Sequence, residues 1–298
     1  MNRASRPRFP PAPPGLPVDA HKGLAGRVAL VCGSRTMPGA ALLAARAAQR
    51  AGAGLVAVTA FSENLLAALP VAAPEAVLLE ALELSPRAAS AFVRSLAARG
   101  EHALLAGPGL GRLARTRALV RALLEQTRVP LVLDADALNE LGTDLERVRR
   151  ARAPVVLTPH PGEAERLLGR PVGGDARSRR DAAIEISLRS GAICCLKGAR
   201  TVVAEGERVY VNSTGNAGMA TAGAGDVLAG ILVAYLAACS TLGDDKWTPF
   251  AAAASAVVVH GLAGDLARRI RGVRGLVAGD LVEFLPAAQI ARDPRELD

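Results

Sequence analysis

The sequence predicts a three-layer α/β sandwich: a mainly parallel central sheet, helices on both faces and a short antiparallel hairpin at one edge. Three observations carry this. Short Val- and Leu-rich runs alternate with longer amphipathic stretches along most of the chain, as successive βαβ units do. Half of the 298 residues are hydrophobic but only 3% are aromatic, so the core must be Ala, Val and Leu, which suits Ala-rich helices packed on aliphatic strands. Late in the chain, two strand-like pieces flank a Glu205-Gly206 turn signal, which adds the hairpin.

Taken in order, residues 1–18 are dense in Pro and Arg with almost nothing to bury, and read as a flexible tail ahead of a single domain at 19–298. Apolar runs at 28–32, 55–59, 103–106, 131–134 and 155–158 read as strands. Between them, apolar residues recur at helical spacing over 39–51, 86–99, 116–125 and 161–168. A helix over 177–190 then leads to strands at 193–197, 201–204 and 207–212. Three helices close the chain, starting near Ala224, Thr248 and Ala278. In a parallel sheet of this kind ligands bind beyond the C-terminal strand ends, so the loops there are the places to search for chemistry.

The formal charge of +8 suits an anionic partner. Arg is scattered along helical faces between Leu and Ala, with no basic run interleaved with stacking aromatics, so no nucleic-acid partner is expected. The four cysteines sit in apolar runs without CxxC spacing and read as buried reduced thiols of a cytoplasmic protein. The N-terminus lacks an apolar signal region, and the apolar stretches 227–239 and 250–259 fall short of the ~20 residues that span a bilayer. No membrane association is expected.

Five strings carry the chemistry. In 216–230, Asn-Ala-Gly-Met-Ala-Thr-Ala-Gly-Ala-Gly-Asp-Val-Leu-Ala-Gly, the small residues Gly223, Ala224 and Gly225 let backbone approach a ligand, and the helix that follows offers free N–H groups to an anion. Asp226, in its first turn, is placed to take a proton from a hydroxyl attacking phosphorus; the plain alternative is an Asp favoured by the helix dipole. Thr158-Pro159-His160-Pro161-Gly162-Glu163 lies where a strand ends and a helix begins; by itself His160 reads as a cap. Gly107-Pro108-Gly109-Leu110-Gly111 and the segment from Cys32 to Ala41 are further strand-to-helix loops. Lys197-Gly198-Ala199-Arg200-Thr201 closes a strand, and Lys197 stands out because the chain has only two other lysines among 36 basic residues. A compact ammonium fits against phosphate more easily than a guanidinium, whereas a solvent-facing strand-end lysine is the plain alternative.

Together these strings resemble the NAD(P)H-hydrate dehydratase family, whose signature NxGMATxGxGDVLxG is matched at 216–230, with Ala222 and Ala224 where the family commonly has Gly and Ser or Thr. The resemblance spans nearly all of 19–286 and implies a ribokinase-like fold. It implies that Ala40, Gly109, Gly111, His160 and Asp226 contact the hydrated dinucleotide, that Lys197, Gly198, Ala199, Arg200, Thr201, Gly223, Ala224 and Gly225 bind the adenine nucleotide, and that Glu163 influences Mg2+ through water. His160-x-x-Glu163 stands where ribokinase-type sugar kinases usually show Asn-x-x-Glu. The strings 134–139, 260–265 and 275–281 also resemble the family; Asp134 and Asp136 could form a paired-carboxylate site, but a strand end with Asp136 capping the next helix is the stronger reading, and Asp265 and Asp280 read as helix-end or capping residues.

The implied activity is an ADP-dependent (S)-NAD(P)H-hydrate dehydratase, phosphorylating the hydrate hydroxyl and eliminating phosphate to give NAD(P)H, AMP and phosphate. Asp226 would be the catalytic base. ADP, or ATP, is the implied co-substrate and Mg2+ the metal. The family resemblance also implies a homotetramer working beside a separate NAD(P)H-hydrate epimerase, since only the tail precedes the match. Two rivals remain: a ribokinase-fold kinase of a vitamin precursor of hydroxyethylthiazole or pyridoxine type, and a nucleotide-binding regulator without catalysis. His160 and the Met-Ala-Thr string favour the dehydratase over the first, and Asp226 disfavours the second.

Overall fold

A computed structural model describes residues 10–243 and 245–292; half of the expected tail, residues 1–9, and the last six residues lie outside them. Residues 10–26 carry turns but no helix or strand. Nine strands among the described residues form one sheet in the order β3-β2-β1-β4-β5-β6-β7-β8-β9. The strands β1 (Arg27–Val31), β2 (Leu55–Ala60), β3 (Val77–Glu80), β4 (Ala103–Ala106), β5 (Leu131–Leu133), β6 (Val155–Leu157) and β7 (Ile193–Leu196) pair in parallel. The hairpin β8 (Val202–Glu205) and β9 (Arg208–Val211) adds the antiparallel edge. Its turn is Gly206-Glu207, one residue later than the turn signal, with Gly206 at φ +57°.

Both faces of the sheet's interior are buried, so its inner strands are almost continuously apolar and their side chains alternate between two cores. Val28 and Leu30 of β1 face one core, and Ala29 and Val31 face the other. The first core is covered by α1 (Pro38–Arg50), α2 (Glu63–Ala72), α9 (Ala224–Thr241), α10 (Pro249–Arg271) and α11 (Ala278–Arg292). The second lies under α3 (Ala89–Ala98), α4 (Ala114–Gln126), α5 (Asp136–Leu141), α6 (Glu146–Arg149), α7 (Pro161–Leu168) and α8 (Ala176–Ser190). The expected three-layer α/β sandwich is therefore what forms.

Three elements were not expected, α2, α6 and β3; α6 is a single turn of four residues, too short to show a period. Pro70 interrupts the helical pattern of α2, but it sits in the last turn of a helix capped by Ser62, and Leu65 and Leu69 anchor that helix in the core. β3 is an edge strand with no fully buried residue, so it shows neither a continuous apolar run nor a clean alternation. The stretch expected as one helix at 86–99 divides into a 3-10 turn, Pro86–Ala88, and α3.

Helices α9 and α10, of 18 and 23 residues, are long and apolar enough to cross a membrane by length and composition, longer than the runs read from the sequence. In the fold 72% and 78% of these stretches are buried, so their apolarity serves the core. α9 lies over β1, β4 and β5 against α1, which buries only alanines: Ala41, Ala44, Ala45, Ala47 and Ala48. At their crossing stands Gly230, where a Cβ would come within 2.3 Å of the Ala44 carbonyl oxygen. This close packing carries the N-terminus of α9 to the C-terminal ends of the central strands.

Candidate active site

The loop before α9 ends at Gly223, whose φ of +89° and surroundings admit no side chain: a Cβ would sit 2.5 Å from Leu43 Cδ1. The N–H groups of Gly225 and Asp226 then open the helix with no acceptor among the described residues, as the first turn of a helix leaves them. That is a ready anion site, where positive helix dipole and donors coincide. The preceding segment is tied to α10. Asp265 accepts from the Gly215 N–H (2.9 Å) and the Asn216 side chain (3.0 Å), and Asn212 donates to the Val257 carbonyl (3.0 Å). Asp265, expected as a helix-end residue, sits well inside α10 and serves as this brace, whereas Asp280 does act at the start of α11, accepting from Val277 N–H. His260 Nε2 lies 2.9 Å from the Ala224 carbonyl oxygen, to which it donates in its neutral form. Burial lowers its pKa to about 4, with the Ala224 hydrogen bond raising it and Lys197 lowering it, so the ring is neutral near pH 7.

Beneath this turn lies a cluster of charges drawn from four elements. Asp134, at the end of β5 and 1% exposed, accepts from Thr158 Oγ1 (2.7 Å) and from Lys197 Nζ (2.5 Å). Lys197 Nζ is 3.8 Å from Glu163 Oε2 and would touch a Cβ on Gly225 at 3.4 Å. Burial alone would lower the Lys197 pKa, but Asp134 and Glu163 outweigh it and hold the ammonium above its ordinary range. Asp226 is raised to about 7, first by burial, then by the Asp134 carboxylate, with Lys197 opposing. A carboxyl poised there can act as a base near neutral pH. Cys32 at the end of β1 is held protonated by burial and by the same two carboxylates.

His160 caps α7. Its Nδ1 accepts from Gly162 N–H (3.1 Å) and Glu163 N–H (3.3 Å), while Glu163 Oε2 accepts from His160 N–H (2.8 Å), a reciprocal capping box. Nδ1 as acceptor puts the proton of the neutral ring on Nε2, which faces Glu163 Oε1 at 3.4 Å. The ring remains 50% exposed, so capping leaves a face for a ligand. The loops after β1 and β4 meet: Gly33 N–H donates to the Pro108 carbonyl (2.7 Å), and Gly109 packs on Ala40 so tightly that a Cβ would approach its Cβ at 2.9 Å. Gly111 N–H donates to Asp136 Oδ2 (2.8 Å), so Asp136 ties down that loop as well as starting α5. The Lys197–Thr201 turn is exposed at Gly198, Ala199 and Arg200 and is braced from α8 by Arg179, which donates to the carbonyls of Lys197 (3.3 Å) and Ala199.

The fold thus joins Lys197, Glu163, Gly225 and Asp226 in one cluster and Ala40 with Gly109 in a second contact at the same end of the sheet. Two further residues adjoin the first cluster, Asp134 through Lys197 and His260 through Ala224; from the sequence His260 reads as architecture, and Asp134 as a strand end in preference to a paired-carboxylate site with Asp136. A carboxylate closing an all-apolar strand was the available sign for Asp134. Beside it Ala135 adopts φ +48°, a conformation an alanine rarely takes, and strain of this kind gathers at functional sites. Among the described residues no group of three or more His, Cys, Asp or Glu side chains could cage a metal. Glu163, 4% exposed and with Oε2 already accepting from the His160 N–H, fits contact with an ion only through water, which suits a magnesium ion that keeps most of its hydration shell.

A sequence profile described as NAD(P)H-hydrate dehydratase matches residues 28–287. The bifunctional NAD(P)H-hydrate repair enzyme of Moorella thermoacetica is 44% identical over 286 residues, which are 92% of this chain and 51% of that protein. The chain spans about half the length of such bifunctional relatives. The ADP-dependent (S)-NAD(P)H-hydrate dehydratase of Neisseria meningitidis is 40% identical over 96% of this chain and 91% of its own. The crystal structure of the ADP/ATP-dependent NAD(P)H-hydrate dehydratase of Bacillus subtilis, co-crystallised with ATP and Mg2+, aligns with a TM-score of 0.76 at 30% identity, covering 92% of each chain. The fold is ribokinase-like.

Proposed function

The chain belongs to the NAD(P)H-hydrate dehydratase family, and from that premise we propose that it is an ADP-dependent (S)-NAD(P)H-hydrate dehydratase. The observation that carries this reading is Asp226, a carboxyl titrating near 7 beside unpaired helix N–H groups and a half-buried lysine. The hydrate hydroxyl gives its proton to Asp226 as its oxygen attacks the β-phosphorus of ADP; the bond from that phosphorus to the bridging oxygen breaks, and AMP leaves. The N–H groups of Gly225 and Asp226, with the Lys197 ammonium, face the charge that spreads over the transferred phosphoryl oxygens. Phosphate is then a competent leaving group. Its carbon–oxygen bond breaks, the neighbouring ring carbon gives its proton to solvent water, and that electron pair closes the double bond of the dihydronicotinamide.

Magnesium, bound with the nucleotide, would neutralise phosphate charge, and Glu163 would influence it through water. The Lys197–Thr201 turn and Gly223–Gly225 would hold the nucleotide, while Ala40, Gly109, Gly111 and the exposed face of His160 would hold the dinucleotide. A separate epimerase and a tetrameric assembly belong to the same reading. The test is incubation of purified protein with hydrated NADH, ADP and Mg2+. Return of dihydronicotinamide absorbance with equal release of AMP and phosphate is expected; phosphorylation of hydroxyethylthiazole or pyridoxine instead would favour the vitamin kinases.

A further inference from the structure

We propose that Asp134 is a positioning residue for phosphoryl transfer: it holds the Lys197 ammonium against the first turn of α9, beside Asp226, where the phosphoryl group must pass. The inference rests on the function proposed above. Lysine is long and flexible, and fixing its charge in one place requires a partner that is itself fixed. Asp134 meets that requirement. It is fully buried, it follows β5 in the centre of the sheet, and Thr158 Oγ1 on the next strand holds the oxygen, Oδ1, that receives Lys197 Nζ. The Asp134 N–H is itself bonded to the Ala106 carbonyl (3.1 Å), and its own carbonyl presses on Gly107, where a Cβ would come within 1.7 Å. The carboxylate therefore has little freedom.

Glu163 stands farther off, at 3.8 Å, and its Oε2 is already committed to the cap of α7. So Asp134 is the principal anchor. The ammonium it anchors lies beside Gly225, one residue from Asp226. If Asp134 were lost, Lys197 would be free to move onto Asp226 itself and tie up the base.

The inference makes kcat and nucleotide affinity move differently. Asp134→Asn keeps the shape and removes the charge, so kcat should fall about thirtyfold or more, while the ADP dissociation constant stays within about threefold or tightens, because a negative charge near an anion site is gone. A merely structural role would weaken ADP binding as well. In a Lys197→Met background the same Asp134→Asn change should cost at most about threefold in kcat, since its target is absent. Lys197→Met alone leaves a buried carboxylate unpaired and should lower Tm, and adding Asp134→Asn should restore it. A loss of about tenfold or more in the Lys197→Met background, or a marked weakening of ADP binding by Asp134→Asn, overturns the proposal. Wild type without turnover of hydrated NADH would instead sink the function. The pairing would then still be decided by calorimetry with ADP and by Tm: failure of the double variant to regain stability overturns it.

Discussion

At the scale of single residues, the base and its neighbours make definite demands. Asp226→Asn keeps the shape of the first turn and removes the proton acceptor, so turnover of hydrated NADH should fall by about 10² or more with ADP affinity nearly unchanged, as measured by steady-state kinetics and calorimetry. In the wild type, kcat/KM should rise with pH through about 7, where Asp226 loses its proton. His160 is a cap as well as a candidate substrate contact, which changes the best substitution for testing it. Asn is a favoured N-cap, so His160→Asn should preserve α7, Glu163 and ADP binding. Specificity for the hydrated dinucleotide should drop about tenfold to a hundredfold, the loss of one polar contact; an unchanged value would remove His160 from the substrate pocket. The sequence disclosed Asp226, Lys197, Glu163 and His160 because each lies in a string with its own local logic. Asp134 and His260 act only by meeting residues 63 and 36 positions away, and no local pattern announces such a meeting.

At the scale of elements, strands and helices with a strong period were legible to within a residue or two, including the capped start of α7 and the hairpin. α2 and β3 were not. Their stability comes from tertiary contact: Leu65 and Leu69 reach the core despite Pro70, and β3 is held by pairing with β2. Helix crossings were likewise hidden. A glycine inside a helix usually weakens it by up to ~1 kcal/mol relative to alanine, so Gly230→Ala should stabilise by that rule. Its Cβ would meet the Ala44 carbonyl at 2.3 Å and Ala47 Cβ at 2.8 Å, and separating α1 from α9 costs more. Gly230→Ala is therefore expected to lower Tm, while Gly279→Ala in the first turn of α11, with nothing within 4 Å, should raise it slightly. Thermal unfolding of the two variants checks the contrast.

At the scale of the whole molecule, two buried groups pull stability in opposite directions with pH. Asp226 binds its proton more tightly in the folded chain, so its contribution is present below about pH 4 and is lost as pH rises to about 7. His260 binds its proton less tightly in the folded chain, so its contribution is present above 6.5 and is lost as pH falls to about 4. Between about pH 4 and 6.5 the two nearly offset one another. Asp226→Asn should leave the His260 slope alone, so between about pH 4 and 6.5 the variant's stability should rise with pH more steeply than the wild type's in denaturant titrations. The packing of α1 against α9 has a different consequence, in time. The alanine face of α1 is complete at Arg50, but the helix that covers it begins at Ala224, about 170 residues later. At ordinary rates of synthesis that interval is on the order of ten seconds to half a minute. Throughout it the nascent N-terminal half presents an uncovered apolar helix, a surface for chaperones to shield and for neighbouring chains to find. A chain stopped at residue 212, before α9, should accordingly bind a hydrophobic dye and sediment as aggregate, and a monodisperse, cooperatively melting fragment would show that α1 has another way to bury its face.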